Sequence, residues 1–434
     1  MSAPAPSLDV HWYNDVQVGK VVVPGEPRFG YLPEWLKNGH SLSPIKVAFE
    51  LSVHRVRLSE FDHLPGFLSD CIPDQWGRKI MAADLARHLL KPTPLNMLAW
   101  VGERGIGALK FLPPIRDEDS SGKWQAVAPL VLARQAQEVV RKSPPEAFEF
   151  LLGAGTAGGA FPKANVAMLP DKNLLCGGNI TSEIRSQHKG ARLGILKIDS
   201  EDDPARASTD GRLECAYLHM ARAAGILAAN AEVLIDPSGD RVRYHLFVDR
   251  FDVSTDLNHR LHVVSLAGLL ESFDLTYAEL FSACRQLTQS RVEVMEAVRR
   301  MVFNARAGNA DDHGKNHSFV FDDRNRQWRL SPGYDLTLNY SDDRLFNGLL
   351  HQTFGATPTL TQLRSQADQF AVTADEFDAI DAAVKVAVGE WPQFAQSAGI
   401  DQREIDRVSK LHRRTDVQMN TEGRSPRLKR PRIF

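Results

Sequence analysis

The sequence predicts an α+β protein in two lobes with a cleft between them, and three observations carry that reading. Short apolar runs punctuated by turn residues fill the first 255 positions, helical periodicity dominates after 260, and a polar loop, Asn309-Ala-Asp311-Asp312-His313-Gly314-Lys315-Asn316, interrupts the helical part. At 434 residues the chain is too long for one hydrophobic core. A strand-rich lobe followed by a helix-rich one suits a site held in the cleft between them.

The elements follow in order. Residues 1–115 form a β-rich amino-terminal unit, with strands expected at 20–23 and 106–112 and a helix at 77–87. The polar, turn-rich stretch 113–122 marks its end. Residues 125–255 alternate helix and strand: a periodic helix over 130–142 closed by Ser143-Pro144-Pro145, a strand over 193–198, a helix over 214–224 ended by Gly225, and a strand over 244–251. Residues 256–420 form the helical lobe. Within it, Ser318-Phe-Val-Phe321 and Gln327-Trp-Arg-Leu330 read as short strands across the turn Asp322-Asp-Arg-Asn-Arg326. Residues 421–434, basic and broken by proline, read as a solvated, mobile tail.

Composition excludes several classes. A hydrophobic fraction of 43% and a net charge of -2 describe an ordinary globular chain, with no global basic excess of the kind that marks nucleic-acid binding. Cys71, Cys176, Cys215 and Cys284 are scattered without a C-x-x-C pair, so neither a zinc ribbon nor a disulfide framework is indicated. The first residues lack the basic and apolar regions of a signal peptide, and no apolar run is long enough to span a bilayer. The expectation is a cytoplasmic protein with no membrane partner.

Asp311 and Asn316 stand five residues apart, and Asp335 of Ser331-Pro-Gly-Tyr-Asp335-Leu comes nineteen residues after Asn316. In phosphotransferases of the protein-kinase type, an Asp receives the substrate hydroxyl proton, an Asn five positions on holds one Mg²⁺, and an Asp from a later loop holds both ions. Hard cations bridging phosphate oxygens need oxygen ligands from more than one loop. The expected hairpin carries Asp335 back beside Asn316. Asp311, not Asp312, is the candidate base, because Asp311 stands five before Asn316. Ordinary turn chemistry accounts for the same residue types. His313 and His317 also have the spacing of a helical metal pair, although the intervening Gly314 and the missing third ligand weigh against it. Asp311-Asp312-His313 also fits metal-dependent phosphohydrolases, a reading that leaves the rest of the chain unexplained.

A second motif, Gly153-Ala-Gly155-Thr156-Ala-Gly158-Gly159, fits G-x-G-x-x-G, with Phe148-Glu-Phe-Leu-Leu152 before it as an expected strand. A dinucleotide turn needs a helix directly after the loop and an acid about twenty positions on. Pro162 and Pro170 fall where that helix would run, and Asp171 comes too early. A cradle of backbone N–H groups for nucleotide phosphates, continuing into a strand at 164–169, explains the segment better, and the absence of G-K-[ST] excludes a Walker A loop. A plain glycine turn remains the bland alternative. Lys197, set among Ile195, Leu196 and Ile198, is the candidate phosphate-contacting lysine, and Glu214 in the next helix is its candidate partner. Alternation on an edge strand and the preference of acids for a first helical turn are the competing explanations.

In these residues the chain resembles the HipA family of toxin serine/threonine kinases. The resemblance lies in Gly155-Thr-Ala-Gly-Gly-Ala-Phe-Pro-Lys163, Ile195-Leu-Lys-Ile198, Glu214 with Ala221-Arg-Ala-Ala-Gly-Ile226, Val248-Asp-Arg-Phe-Asp252, Gly308-Asn-Ala-Asp-Asp-His-Gly-Lys-Asn-His-Ser318 and Leu330-Ser-Pro-Gly-Tyr-Asp-Leu336. In the amino-terminal unit it lies in Phe29-Gly-Tyr31, Pro73-Asp-Gln-Trp-Gly-Arg78 and Gly105-Ile-Gly-Ala108.

The resemblance implies a bilobal protein-kinase-like fold with a β-rich amino-terminal subdomain and a helical carboxy-terminal lobe. It also implies ATP with Mg²⁺, and phosphate transfer to a protein serine or threonine. By position, Asp311 is the implied base, with Lys197 and Glu214 completing the catalytic set, and Asn316 and Asp335 the implied Mg²⁺ ligands. The implied ATP contacts are Gly153, Gly155, Thr156, Gly158, Gly159, Lys163, Lys197, Val248, Asp249, Phe251, His313 and Lys315, with residues 248–251 as the adenine hinge. Thr156 matches the position of autophosphorylation. A phosphate there would compete with ATP for the loop that cradles it. Implied partners are a HipB-like helix-turn-helix antitoxin, operator DNA through it, and an aminoacyl-tRNA synthetase as substrate. The chain departs from the best-known members at Leu261-His-Val-Val-Ser-Leu266 and in having Thr, not Ser, at 156. A catalytically silent corepressor acting with the antitoxin is the alternative from another class, and a nicotinamide oxidoreductase rests on the glycine turn alone.

Overall fold

The computed structural model describes residues 7–23, 26–115, 124–154, 161–177, 184, 187–200, 211–254, 259–339 and 348–421. Three antiparallel sheets organise these residues. The first is amino-terminal: β1 (Ser7–Trp12), β2 (Gln17–Val22), β3 (Arg28–Tyr31), β4 (Val53–His54) and β5 (Leu109–Leu112), in the order β4-β3-β2-β1-β5. In β1 every second residue, Leu8, Val10 and Trp12, is buried, which is the period expected of a strand with one wet face. Trp12, Phe29, Phe67, Trp76 and Phe111 are buried in this unit, and the helix Gln75–Arg87 contributes Ile80 and Leu85.

The second sheet comprises β6 (Gln125–Val127), β7 (Lys163–Met168), β8 (Leu174–Cys176), β9 (Arg192–Lys197), β10 (Ala231–Asp236) and β11 (Arg243–Asp249), in the order β10-β11-β9-β7-β8-β6. Lys197 therefore ends an interior strand, opposite Leu246 of β11 and Lys163 of β7, and the edge-strand alternative does not hold. The helix Gly211–Ala223 packs against β10 and β11 and also against the helices Ala374–Gly389 and Trp391–Ser397 of the helical lobe. The third sheet, β12 (His262–Ser265), β13 (Ser318–Asp322) and β14 (Gln327–Leu330), contains the expected hairpin. The α+β class and two-lobed plan read from the sequence are those of the structure.

One expected strand is a helix. Over 148–152 the chain forms a 3₁₀ turn, Pro145–Phe148, running into the helix Glu149–Ala154. Pro145 presets the entry, Glu149 favours a first turn, and buried Phe148, Leu151 and Leu152 repeat at helical spacing. The glycine motif is thus entered from a helix, in which Gly153 lies. Gly155, Thr156, Gly158 and Gly159 lie outside the described residues, as does the basic stretch 424–434. Among the described residues no helix is long and apolar enough to cross a membrane.

The amino-terminal unit is joined to the rest by buried contacts. The Arg250 guanidinium donates to both oxygens of Asp252, at 2.9 and 2.6 Å, and also to the Gly105 carbonyl at 3.0 Å. Arg260 donates to the same carbonyl at 2.6 Å, and Asp252 accepts the Gly107 N–H at 2.7 Å. The short helices Gly66–Ser69 and Leu266–Leu270 cross so closely that a Cβ on Gly66 would collide with the Gly268 carbonyl. Gly66→Ala should destabilise the protein by about 1–3 kcal/mol through overpacking, read as a drop in Tm, whereas alanine at Gly389, which has open space around it, should not.

Candidate active site

The site starts with Lys197. Its ammonium donates to both Glu214 oxygens, at 2.7 and 2.6 Å, and also pairs with Asp335. Glu214 lies in the first turn of the helix Gly211–Ala223, and Asp335 lies just past the hairpin, so three distant parts of the chain converge on one charge. Burial disfavours a charged lysine, yet the carboxylates of Asp335 and Glu214 outweigh it and hold the Lys197 pKa above its ordinary value. Burial likewise pushes Asp335 up, but Lys197 and Lys163 overcome it and keep the carboxylate ionised well below the usual range. Lys163, 3% exposed, has its own pKa lowered by burial, with Asp335 opposing. Asp335 also adopts φ +53°, a left-handed backbone uncommon outside glycine and found preferentially at functional sites.

The loop carrying Asp311 is fixed from beneath. Gly308, at φ +70°, releases the chain from the helix Arg291–Ala307, and its N–H caps the Asn304 carbonyl. Asn309 then donates to the Asn304 side chain at 3.0 Å, Asn304 to the Tyr277 hydroxyl at 3.0 Å, and Tyr277 to Asp312 at 2.6 Å. Asp312 also accepts the Leu350 N–H at 3.2 and 3.3 Å. Asp312 is therefore the buried anchor of the loop, 1% exposed, whereas the Asp311 side chain is 36% exposed. Asn316 donates from Nδ2 to the Asp311 carbonyl at 2.7 Å, which closes the loop, and among the described residues its side-chain oxygen accepts no hydrogen bond. The hairpin brings Tyr334 back so that its hydroxyl donates to the Lys315 carbonyl at 2.6 Å and lies 2.6 Å from Ser318 Oγ.

The remaining expected residues are spread around this centre. His313 Nε2 lies 3.8 Å from Asp311. Lys315 is held by Asp74 of the amino-terminal unit at 2.5 Å. Val248 is buried in β11, and the Phe251 ring packs 5.6 Å from that of Tyr334, which sets the end of the linking strand beside the Asp335 turn. The Asp249 carboxylate is engaged on the outside by Arg192 at 2.8 Å, so its side chain is committed there. His317 is buried and neutral, its pKa lowered to about 3 by burial and the charge of Arg300. Sequence reasoning gave no role to Asp74, Asp252 or Tyr334. All three sit in motifs whose pattern is visible, but their partners lie far off in the chain.

Comparison with known proteins places these residues in a family. Residues 8–112 match the HipA N-terminal domain and residues 155–416 the HipA-like C-terminal domain. The chain belongs to the HipA family. It is 28% identical over 144 residues to Y4mE and 26% identical over 288 residues to Y4dM, two kinase-named proteins of Sinorhizobium fredii (strain NBRC 101917 / NGR234). These matches cover 30% and 63% of this chain, and only 33% and 62% of those relatives' lengths. The fold is similar to that of HipA from Shewanella oneidensis MR-1, solved with HipB and operator DNA. The TM-score is 0.64 at 16% identity, over 95% of this chain and 96% of that one.

Burial pushes the Asp312 carboxyl up to about 7, against the hydrogen bonds from Tyr277 and Leu350. A carboxyl whose folded pKa is raised stabilises the fold only while protonated, and that contribution is lost as pH rises from its unfolded value of about 4 towards 7. The Tm difference between Asp312→Asn and wild type should therefore move in the variant's favour from pH 4 to pH 7 and level off above. A difference that stays flat across that range would show that Asp312 is ionised throughout.

Proposed function

We propose that the protein is an ATP- and Mg²⁺-dependent serine/threonine kinase and the toxin of a toxin–antitoxin pair. The convergence of Lys197, Glu214 and Asp335 carries the reading: a lysine on an interior strand, a helix glutamate that orients it and an acid from a returning loop are what phosphoryl transfer requires. Asp311 receives the proton of the attacking hydroxyl. Its half-buried carboxylate, open on one side, suits that task better than buried Asp312. Lys197, aimed by Glu214, contacts the nucleotide phosphates, with Lys163, His313 and Lys315 around them.

The donor set fits a hard divalent cation. Asn316 offers an amide oxygen and Asp335 a carboxylate kept ionised, leaving the other positions to phosphate and water. When bound, Mg²⁺ neutralises the charge that develops on the phosphates. Gly155, Thr156, Gly158 and Gly159 are the proposed phosphate contacts, residues 248–251 hold adenine, and Thr156 is the site of autophosphorylation. HipA of Shewanella oneidensis was solved with HipB and operator DNA, and this supports a HipB-like helix-turn-helix partner that brings the chain to DNA. A translation component such as an aminoacyl-tRNA synthetase is the proposed substrate.

With γ-labelled ATP and Mg²⁺, label should appear on Thr156 or on a protein substrate. Asp311→Ala should lower transfer by about 10²–10⁴-fold, the contribution of a positioned base, and Lys197→Met should lower it comparably. Wild type that neither binds ATP nor transfers phosphate would sink the kinase reading. Repression that persists in the Asp311→Ala and Asp335→Ala variants while wild type shows no transfer would favour the silent corepressor.

A further inference from the structure

We propose that residues 70–76 of the amino-terminal unit act as a brace between the two halves of the candidate active site, with Asp74 and Trp76 as positioning residues. This deepens, and rests on, the kinase reading. The stretch reaches three parts of the site within seven residues. Asp70, in the domain interface, accepts the Ser265 N–H at 2.7 Å and its hydroxyl at 2.9 Å. Ser265 in turn caps the helix Leu266–Leu270 through Gly268 N–H at 2.9 Å. That helix supports the far end of the catalytic loop, since Leu266 N–H donates to the His317 carbonyl at 2.7 Å and Ala267 N–H to that of Gly314 at 3.1 Å. Asp74 grips the same loop directly through Lys315 at 2.5 Å, and the Lys315 ammonium rests 5.9 Å from the Phe273 ring centre. On the opposite side, the buried Trp76 indole N–H donates to the Lys163 carbonyl at 3.3 Å, at the first residue of β7.

The role of Asp74 is visible in what it does not do. It stands at the N-cap of the helix Gln75–Arg87, where an aspartate ordinarily accepts a backbone N–H of the first turn. Its side chain makes no such cap and turns to Lys315. A local stabilising bond has given way to a contact 241 residues away in sequence. The brace therefore sets the spacing between the strand that begins at Lys163 and the loop that bears Asp311 and Asn316. Displacement of a reacting group by even an ångström costs orders of magnitude in rate.

Asp74→Ser separates the two roles, because serine caps a helix well but carries no charge for Lys315. The full-length variant should melt within about 2 °C of wild type. Its backbone amides over 313–317 should exchange hydrogen at least about tenfold faster, and kcat for phosphate transfer should fall about tenfold with the KM for ATP changed less than threefold. Trp76→Phe, which keeps the ring but removes the N–H, should instead raise the KM for ATP. Wild-type exchange over 313–317 in Asp74→Ser overturns the brace, and so does faster exchange with wild-type kcat. If wild type transfers no phosphate, the kinase reading fails while the exchange measurement still decides whether Asp74 fixes the loop.

Discussion

Everything at the candidate active site depends on one ammonium, that of Lys197, staying charged where burial works against charge. Taking an ion out of water costs several kcal/mol, and the loss is recovered only when opposite charges meet it with good geometry. Glu214 and Asp335 do so from 17 and 138 residues away, so the fold must bring together an interior strand, the start of a helix and the turn after a hairpin. None of the three elements can shift alone without stranding a charge. With Lys163 close enough to pull on Asp335, the cluster sets two lysines beside two acids. Such a centre would meet the proposed phosphate and cation with little rearrangement.

The turn at Asp335 shows the same constraint acting on the backbone. A left-handed residue other than glycine costs about 1–3 kcal/mol and persists only where its surroundings hold it. Here they do so on both sides. Tyr334 is fixed by the Lys315 carbonyl and the Ser318 hydroxyl, and Leu336 is buried at 5% exposure. The hydroxyl of Tyr334 thus joins the loop of Asn316 to the turn of Asp335, and the two proposed cation ligands are carried on segments tied to each other.

The parts of this design that were legible in the sequence are those written locally. The hairpin 318–330, the apolar strand around Lys197 and the helix ended by Gly225 each announce themselves within a dozen residues, and so did the five-residue spacing from Asp311 to Asn316. The strand expected over 148–152 failed because a short apolar run does not distinguish strand from buried helix, and Pro144-Pro145 with Glu149 was the deciding signal. Asp74 was illegible for a different reason. An aspartate before a helix looks the same whether it caps that helix or reaches Lys315, since only the folded chain supplies the lysine. The buried group of Arg250, Asp252 and Arg260 around Gly105 is equally silent, because charge order along a chain says nothing of which unit it will hold.

The helix that carries Glu214 is tied into the helical lobe as firmly as into its own sheet. Three residues beyond Glu214, the buried Tyr217 donates to the carbonyl of Ala307 at 2.7 Å, lies 3.0 Å from His412 Nε2, and packs its ring 5.4 Å from that of Trp391. In protein kinases the position of the corresponding helix decides whether the lysine–glutamate pair forms. Swinging this helix outward would strip Tyr217 from a buried carbonyl at the very residue that precedes Gly308 and the loop of Asp311, leaving polar groups unpaired in the core. The pair is therefore coupled to the loop through the body of the protein. Any control of the site that spares the fold must act on its approaches and leave this helix in place.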